Sequence, residues 1–287
     1  MKNRAIFQCP ECFDSITFDR VKLDCRSKHG PFLRDKKNIY NFLRSEITYF
    51  DDHWESLGTP AVPGVKKKLA QRFLKPLLDF QPRICLDLGA GDGVHLEVLS
   101  ESAPDIELVG LDIAHSGLKL CSKRAPQATL LLANCLSIPI RDNLIDAVYS
   151  YGVLGYLDSP WKGLEEMARI TKKGGLLGVW MYPKGSGLLF HLFEITRTTF
   201  KILPDWMRRL LANLLVPFLS FLPTNTNMNL KNSSWAACRE IILVNLAPKH
   251  LYFPTEDELK AKITALGFTV VSVDRLNPIS IWAQKSK

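Results

Sequence analysis

Apolar positions recur along this chain with two different periods, and the alternation between them predicts most of its secondary structure. Across residues 65–80 they fall at helical spacing with lysines between them, and Gln81-Pro82 ends the run. An apolar strand is predicted over 84–88. It runs into the turn Gly89-Ala90-Gly91-Asp92-Gly93, and a helix opens near His95. Further strands are predicted over 106–112, 128–132, 144–150 and 176–181. Between the last two, 160–171 reads as a helix with Leu164, Met167, Ala168 and Ile170 on its apolar side, stopped by Lys172-Lys173-Gly174-Gly175. The chain closes with a helix over 255–266, capped by Thr255 with Glu258 three residues on, then strands over 268–273 and 279–283. Strands alternating with helices predict a parallel sheet, and the final strand pair adds an antiparallel hairpin.

The N-terminal stretch has a different texture. Cys9-Pro10-Glu11-Cys12 is followed, after twelve residues, by Cys25 and then His29. Two half-sites of this kind supply the four N/S donors that tetrahedral Zn²⁺ takes, and four protein ligands make a structural site with no open position. Between them, 15–18 and 21–23 alternate like two short strands, the outline of a zinc ribbon. Reduced cysteines without metal are the alternative. We expect a zinc module over 1–45 and an α/β domain over 46–287, with residues 40–80 helical and connecting.

Composition adds bounds. At 287 residues and 46% apolar content, the chain suffices for one large domain with an appendage. The net charge of +8 admits an acidic partner, RNA or an anionic membrane surface, without requiring one. No apolar signal segment follows Met1, and the longest apolar run is broken by Asn213, Pro217 and Ser220. A cytoplasmic protein is therefore expected.

Residues 84–180 resemble the class I S-adenosylmethionine (SAM)-dependent methyltransferases, in particular the ubiquinone/menaquinone-biosynthesis branch. LDLGAGDG resembles their glycine motif, GLDIAHSGL their second motif with its acid, LSIPIRDNLIDAVYSYGVLGYL their L-P-F-x-D segment, and EEMARITKKGGLLGV their closing strand. The N-terminal cluster resembles the zinc-binding start of the 23S rRNA guanine-N1 methyltransferases. The resemblance implies a Rossmann-like seven-stranded sheet with an antiparallel C-terminal hairpin. It implies that Asp87, Gly89, Ala90 and Gly91 hold the methionine end of SAM, and that Asp112 with Ile113 holds the ribose. It places Asn134, Cys135 and Leu136 at the adenine, and Ser150 beside the cofactor. Asn134 departs from the family's usual acid, though an amide oxygen also accepts a hydrogen bond. Gly155-Tyr156 stands where the family often has two histidines.

Alignment and desolvation carry most of a methyl transfer, and a base is needed only for a nucleophile that holds a proton near neutrality. His53, Tyr151, Tyr156 and His191 are the candidates; packing is the alternative for each. Tyr49 and Trp54 are candidates to line the cofactor pocket. The chain lacks the N-P-P-Y motif of adenine N-methylation. A long insertion over 185–247 carries Leu188, Leu189, Leu192, Phe193 and Ile195 at helical spacing, followed by basic residues. It reads as a lid, a membrane-surface element or ordinary helix packing. The expected acceptor is a small or lipid-like molecule, with an RNA base and a non-catalytic SAM-binding scaffold as alternatives.

Overall fold

A computed structural model describes residues 6–18, 22–35, 37, 39–43, 50–51, 54, 63–219, 235–275 and 279–287. The central strands are β5 (Ile84–Leu88), β6 (Glu107–Asp112), β7 (Thr129–Leu132), β8 (Ile145–Tyr151) and β9 (Thr171–Met181), all parallel. β10 (Phe268–Asp274) and β11 (Ile279–Lys285) form the terminal hairpin, and β11 pairs antiparallel with β9. The order β7-β6-β5-β8-β9-β11-β10 is the Rossmann-like seven-stranded arrangement anticipated above. The chain propagates one way from β5 to β7, then crosses back to β8. The crevice beyond the carboxyl ends of β5 and β8 is therefore the topological switch point, where open α/β sheets bind ligands.

The continuous apolar runs of the parallel strands exist because both sheet faces are covered. Leu86, Val109, Leu131, Val148 and Leu177 pack on one face with helices α4 (Pro160–Ile170) and α8 (Glu256–Ala265). Cys85, Leu108, Leu130, Tyr149 and Trp282 pack on the other with α1 (Pro63–Phe80), α2 (Val94–Ser102) and α3 (His115–Arg124). The insertion supplies α5 (Gly187–Ile202), α6 (Asp205–Leu219) and α7 (Trp235–Leu246). These gather a satellite core of their own around Phe200, Ala212, Val216, Cys238 and Ile242. No helix among the described residues is long and apolar enough to cross a membrane.

Two elements depart from the sequence expectations. β9 begins at Thr171, so the Lys172–Gly175 stop lies inside the strand; Gly174 takes φ 74° and the register against β8 shifts between Ile145 and Ala147. A glycine that reaches positive φ bulges a strand where other residues would end it. The second departure is at the N-terminus. Besides β1 (Ile16–Phe18) and β2 (Lys22–Cys25) there are β3 (Phe32–Arg34) and β4 (Ile39–Asn41). β4, in a stretch expected to be helical and connecting, pairs parallel with β7 through Ile39–Leu130, Tyr40–Leu131 and Asn41–Leu132. The four N-terminal strands therefore extend the sheet to eleven and cover what would be its exposed edge. Three residues are too few to display a period, which is why the strand was invisible in the sequence.

Phe7, 2% exposed, bridges to Ile140 and packs on Tyr40 and Phe42 at ring distances of 5.7 and 5.9 Å. It belongs to the same apolar cluster as Leu86 and Val148. Phe7→Ala is expected to lower stability by about 3–5 kcal/mol in denaturant titrations while the unfolding stays a single transition. A separate early transition confined to the N-terminal strands would show that the core is not shared.

Candidate functional site

The glycine bend after β5 is shaped by close approaches. Gly89 (φ 83°) and Gly91 (φ 49°) sit in left-handed backbone, and a Cβ on Gly89 would lie 2.1 Å from a Val153 methyl. The bend is tied to β6: Gly89 N–H and Ala90 N–H both donate to the Leu111 carbonyl, at 2.7 and 3.0 Å. The Asp112 carboxylate spans the gap. One oxygen accepts from Gly91 N–H and the other from Ala114 N–H, each at 2.8 Å. Burial raises the Asp112 pKa, and these backbone donors work against the rise. The glycine bend and Asp112 thus form one cradle at the switch point.

Trp54 lies over this cradle. Its indole packs against Gly91 and Gly117, within 2.5 and 3.0 Å of where a Cβ would stand, and Lys66 Nζ is 6.0 Å from its ring centroid. Asp51 holds the same stretch down by accepting from Ser116 N–H and Ser116 Oγ–H, both at 2.7 Å, in the first turn of α3.

Asp87, at the end of β5, is the most unusual acid here. It is 1% exposed, and neither carboxylate oxygen has a hydrogen-bond partner of good geometry among the described residues. Desolvation lifts its pKa to about 8; the neighbouring Tyr149 hydroxyl opposes that rise, while Asp112 and Asp92 add to it. An orphaned carboxylate beside other acids is a seat for a positively charged ligand. The sulfonium and α-amino group of SAM have that charge, so the residues present fit the cofactor.

The loop after β7, which the resemblance sets at the adenine, is backed by hydrogen bonds from two sides. Asn134 is exposed, and its side-chain oxygen accepts from Leu136 N–H at 2.9 Å in an Asx turn. Behind it Glu166 accepts from Ile138 N–H at 2.8 Å. Arg169 ties Glu166 and Asp142 to the carbonyls of Ile138 and Ile140. From the other side Gln8 N–H donates to Pro139 O, Arg141 N–H donates to Ile6 O, and Ser137 Oγ–H donates to Pro10 O. The cysteine module is therefore bolted to the loop after β7.

Between the bend and the insertion lies an aromatic wall. Tyr151 on β8 pairs with Trp180 on β9, and their rings stack at 4.2 Å. His95 packs on Tyr151 at 4.4 Å; burial lowers its pKa to about 3, so the ring is neutral, and its Nε2 has no hydrogen-bond partner among the described residues. Beyond the wall opens a cavity of about 400 Å³, lined by Tyr182, Phe190, Phe193 and Phe253, with Lys184 and Asn245 as polar points.

At the N-terminus the donors of Cys9, Cys12, Cys25 and His29 all lie within 4.8 Å of one another. The Cys12–Cys25 Sγ separation is 3.4 Å, and His29 Nδ1 stands 3.7 and 3.8 Å from the sulfurs of Cys9 and Cys25. Tetrahedral Zn²⁺ with bonds of roughly 2.0–2.3 Å has edges of this length. The four residues can hold a metal ion.

The structure brings Asp87, Gly89, Ala90, Gly91, Asp112 and Ile113 together around the bend, with Asn134, Cys135 and Leu136 on the adjoining loop. Ser150 is fully buried and spends its hydroxyl on Leu88 O at 3.1 Å, inside the sheet. Tyr151 is on the aromatic wall, and Tyr156 faces a narrow cleft with Gly152, Met181 and Tyr182. His191 is exposed and bonded to the Gly187 carbonyl of its own helix at 2.9 Å, outside the cavity lining. His53 and Tyr49 lie outside the described residues. Sequence reading missed His95, Trp180 and Tyr182. The two-residue spacing of Tyr149 with Tyr151, and of Trp180 with Tyr182, was the available signal, since it puts each pair on one sheet face.

Residues 86–179 match a family model described as a methyltransferase domain. The demethylmenaquinone methyltransferase of Deinococcus radiodurans is 32% identical over 175 residues, covering 59% of this chain and 72% of that protein. The tRNA (carboxymethyluridine(34)-5-O)-methyltransferase of Arabidopsis thaliana is 30% identical over 129 residues; the match covers 43% of this chain but only 30% of that longer protein. Among solved structures, magnesium protoporphyrin IX methyltransferase from Synechocystis with bound SAH superposes with a TM-score of 0.50 at 13% identity. It covers 84% of this chain and 96% of its own, a likeness of fold.

The Asp87 carboxyl carries a pH signature. Its folded pKa, about 8, is above the ordinary 3.8. Its contribution to stability is therefore intact below the ordinary value and is lost as pH rises through the window up to about 8. Asp87→Asn is expected to raise the melting temperature of the ligand-free protein at pH 9 by more than at pH 5. The same variant should weaken SAM binding by about 10–100-fold in calorimetry. Equal melting shifts at both pH values would contradict the buried, orphaned carboxylate.

Proposed function

The chain belongs to the class I SAM-dependent methyltransferases, and from that premise we propose that it methylates a small, apolar, ring-bearing or lipid-like acceptor. The observation that carries this reading is the aromatic cavity of about 400 Å³ with Tyr182, Phe190, Phe193 and Phe253 in its lining, which Tyr182 connects to Trp180 of the aromatic wall at 4.8 Å. A cavity of that size suits a ring system, and aromatic faces bind rings by stacked or edge-on contact. The demethylmenaquinone relatives agree with such an acceptor. SAM, when bound, supplies an electrophilic methyl group on a positively charged sulfur.

The chain's own residues do the rest. Asp87 offers a buried carboxyl whose ionised form the cationic end of SAM would favour, Asp112 receives the ribose hydroxyls, and the loop at Asn134 frames the adenine. Tyr151, Trp180 and His95 wall the reacting region from water, which favours a displacement whose charge disperses in the transition state. Lys184 and Asn245 orient the polar end of the acceptor. Cys9, Cys12, Cys25 and His29 hold a structural Zn²⁺ that braces the adenine-side loop through residues 6–10.

The test incubates the protein with isotopically labelled SAM and cell extract, then fractionates the products. Label is expected in the organic-soluble fraction, and Phe253→Ala should raise KM for that acceptor by about tenfold. Label in RNA, with affinity falling steeply with salt, would replace this reading with a nucleic-acid one. For the metal, elemental analysis is expected to find one zinc per chain. Cys25→Ser should abolish it and lower the melting temperature; an unchanged melt would remove the bracing role.

A further inference from the structure

Helices α5 and α6 are apolar on two sides. A surface helix ordinarily turns one apolar stripe inward and a polar face outward. On α5 the inward side carries Phe193 and Phe200 into the satellite core, and Phe190 with Phe193 lines the acceptor cavity. Yet Leu188, Leu192, Ile195 and Ile202, at spacings of four, three and seven, form a second stripe on the opposite side. Leu188, Ile195 and Ile202 are 75%, 63% and 81% exposed. α6 repeats the design. Ala212 and Val216 face the satellite core, while Trp206, Leu210 and Leu214, each four apart, face out. Both helices therefore turn a stripe away from one shared core. Arg208 ties the end of α5 to α6 by donating to Leu203 O and Lys201 O at 2.7 and 2.8 Å.

We propose that the outer face of α5 and α6 docks this methyltransferase on an anionic lipid surface. Three observations choose that occupant. Charge is complementary: Arg197 is buried and pairs with Glu194, Arg209 pairs with Asp205, and the solvent-accessible cations Lys201 and Arg208, with the exposed Lys184 at the entry to α5, are left in excess over the acids of this stretch. Tryptophan, the side chain suited to the boundary between lipid and water, is exposed twice: Trp206 begins the α6 stripe, and Trp235 donates to Asn213 Oδ1 beside it at 3.0 Å. Finally, the same helix that presents the outer stripe lines the acceptor cavity, so an acceptor dissolved in lipid reaches the cavity along α5. The inference deepens the proposed acceptor class and rests on it for its purpose, while the docking itself is measurable without cofactor or acceptor.

The experiment sediments the full-length protein with vesicles of phosphatidylcholine alone and of phosphatidylcholine with phosphatidylglycerol. Binding is expected to the anionic vesicles and to weaken with salt. Ile195→Ser with Ile202→Ser, and separately Trp206→Ser, should each cut partitioning by about tenfold. Their melting temperatures and SAM affinity should stay unchanged, because these side chains touch neither core nor cradle. No binding to either vesicle, or variants that bind like the parent, would overturn the proposal. So would a dimer, seen by light scattering, that the same substitutions dissociate. If partitioning holds while label lands on a water-soluble product, the acceptor reading fails and the docking stands. If partitioning fails while label is organic-soluble, the reverse is true.

Discussion

The carboxylate of Asp112 holds two backbone N–H groups, from Gly91 and Ala114, and the geometry of the cofactor end depends on that clamp. Without it Gly91 and Ala114 would lose their acceptor, and only the bonds of Gly89 and Ala90 to the Leu111 carbonyl would tie the bend to β6. The clamp also explains why so polar an arrangement survives burial. Asp112 is desolvated, but each oxygen is met by an oriented dipole. Asp87, two residues before Gly89, has no backbone donor among the described residues, and only the neighbouring Tyr149 hydroxyl opposes its desolvation. The two acids, similar in sequence context, are thus prepared for opposite tasks: one organises the backbone, the other waits for charge from outside.

The N-terminal cysteine module is better understood as part of this frame than as a bead on its end. It closes the edge of the sheet through β4 and grips the loop from Pro139 to Arg141 with Ile6 and Gln8. Arg169 and Glu166 hold the same loop from beneath. Because the loop after β7 is pinned from both directions, its exposed Asn134 is carried on well-anchored backbone. A metal at Cys9, Cys12, Cys25 and His29 would act on the cofactor site only through that mechanical connection.

On the acceptor side the design changes from hydrogen bonds to aromatic surfaces. Tyr151 stacks on Trp180 and packs on His95, and the insertion adds Phe190 and Phe193 to the lining of the cavity beyond. The insertion is not packed against the sheet as an ordinary helical layer. Its helices gather a satellite core of their own, and the second apolar stripe of α5 and α6 is the face proposed above to dock on lipid.

Much of this was legible in the residues. Apolar runs bounded by glycines placed the parallel strands, because a buried strand must be apolar throughout and a tight bend needs glycine. The spacing from the bend to Asp112 announced the cradle, and Cys9, Cys12, Cys25 and His29 announced their own convergence. Tertiary structure alone decided what depends on contacts distant in sequence. It joined β4 to β7, spent Ser150 inside the sheet, laid Trp54 over Gly91, turned His191 outward and brought His95 against Tyr151. Periodicity reports which face of an element is buried. It carries no information about which other element buries it, and that is why the bend was readable from the chain while the wall around it was not.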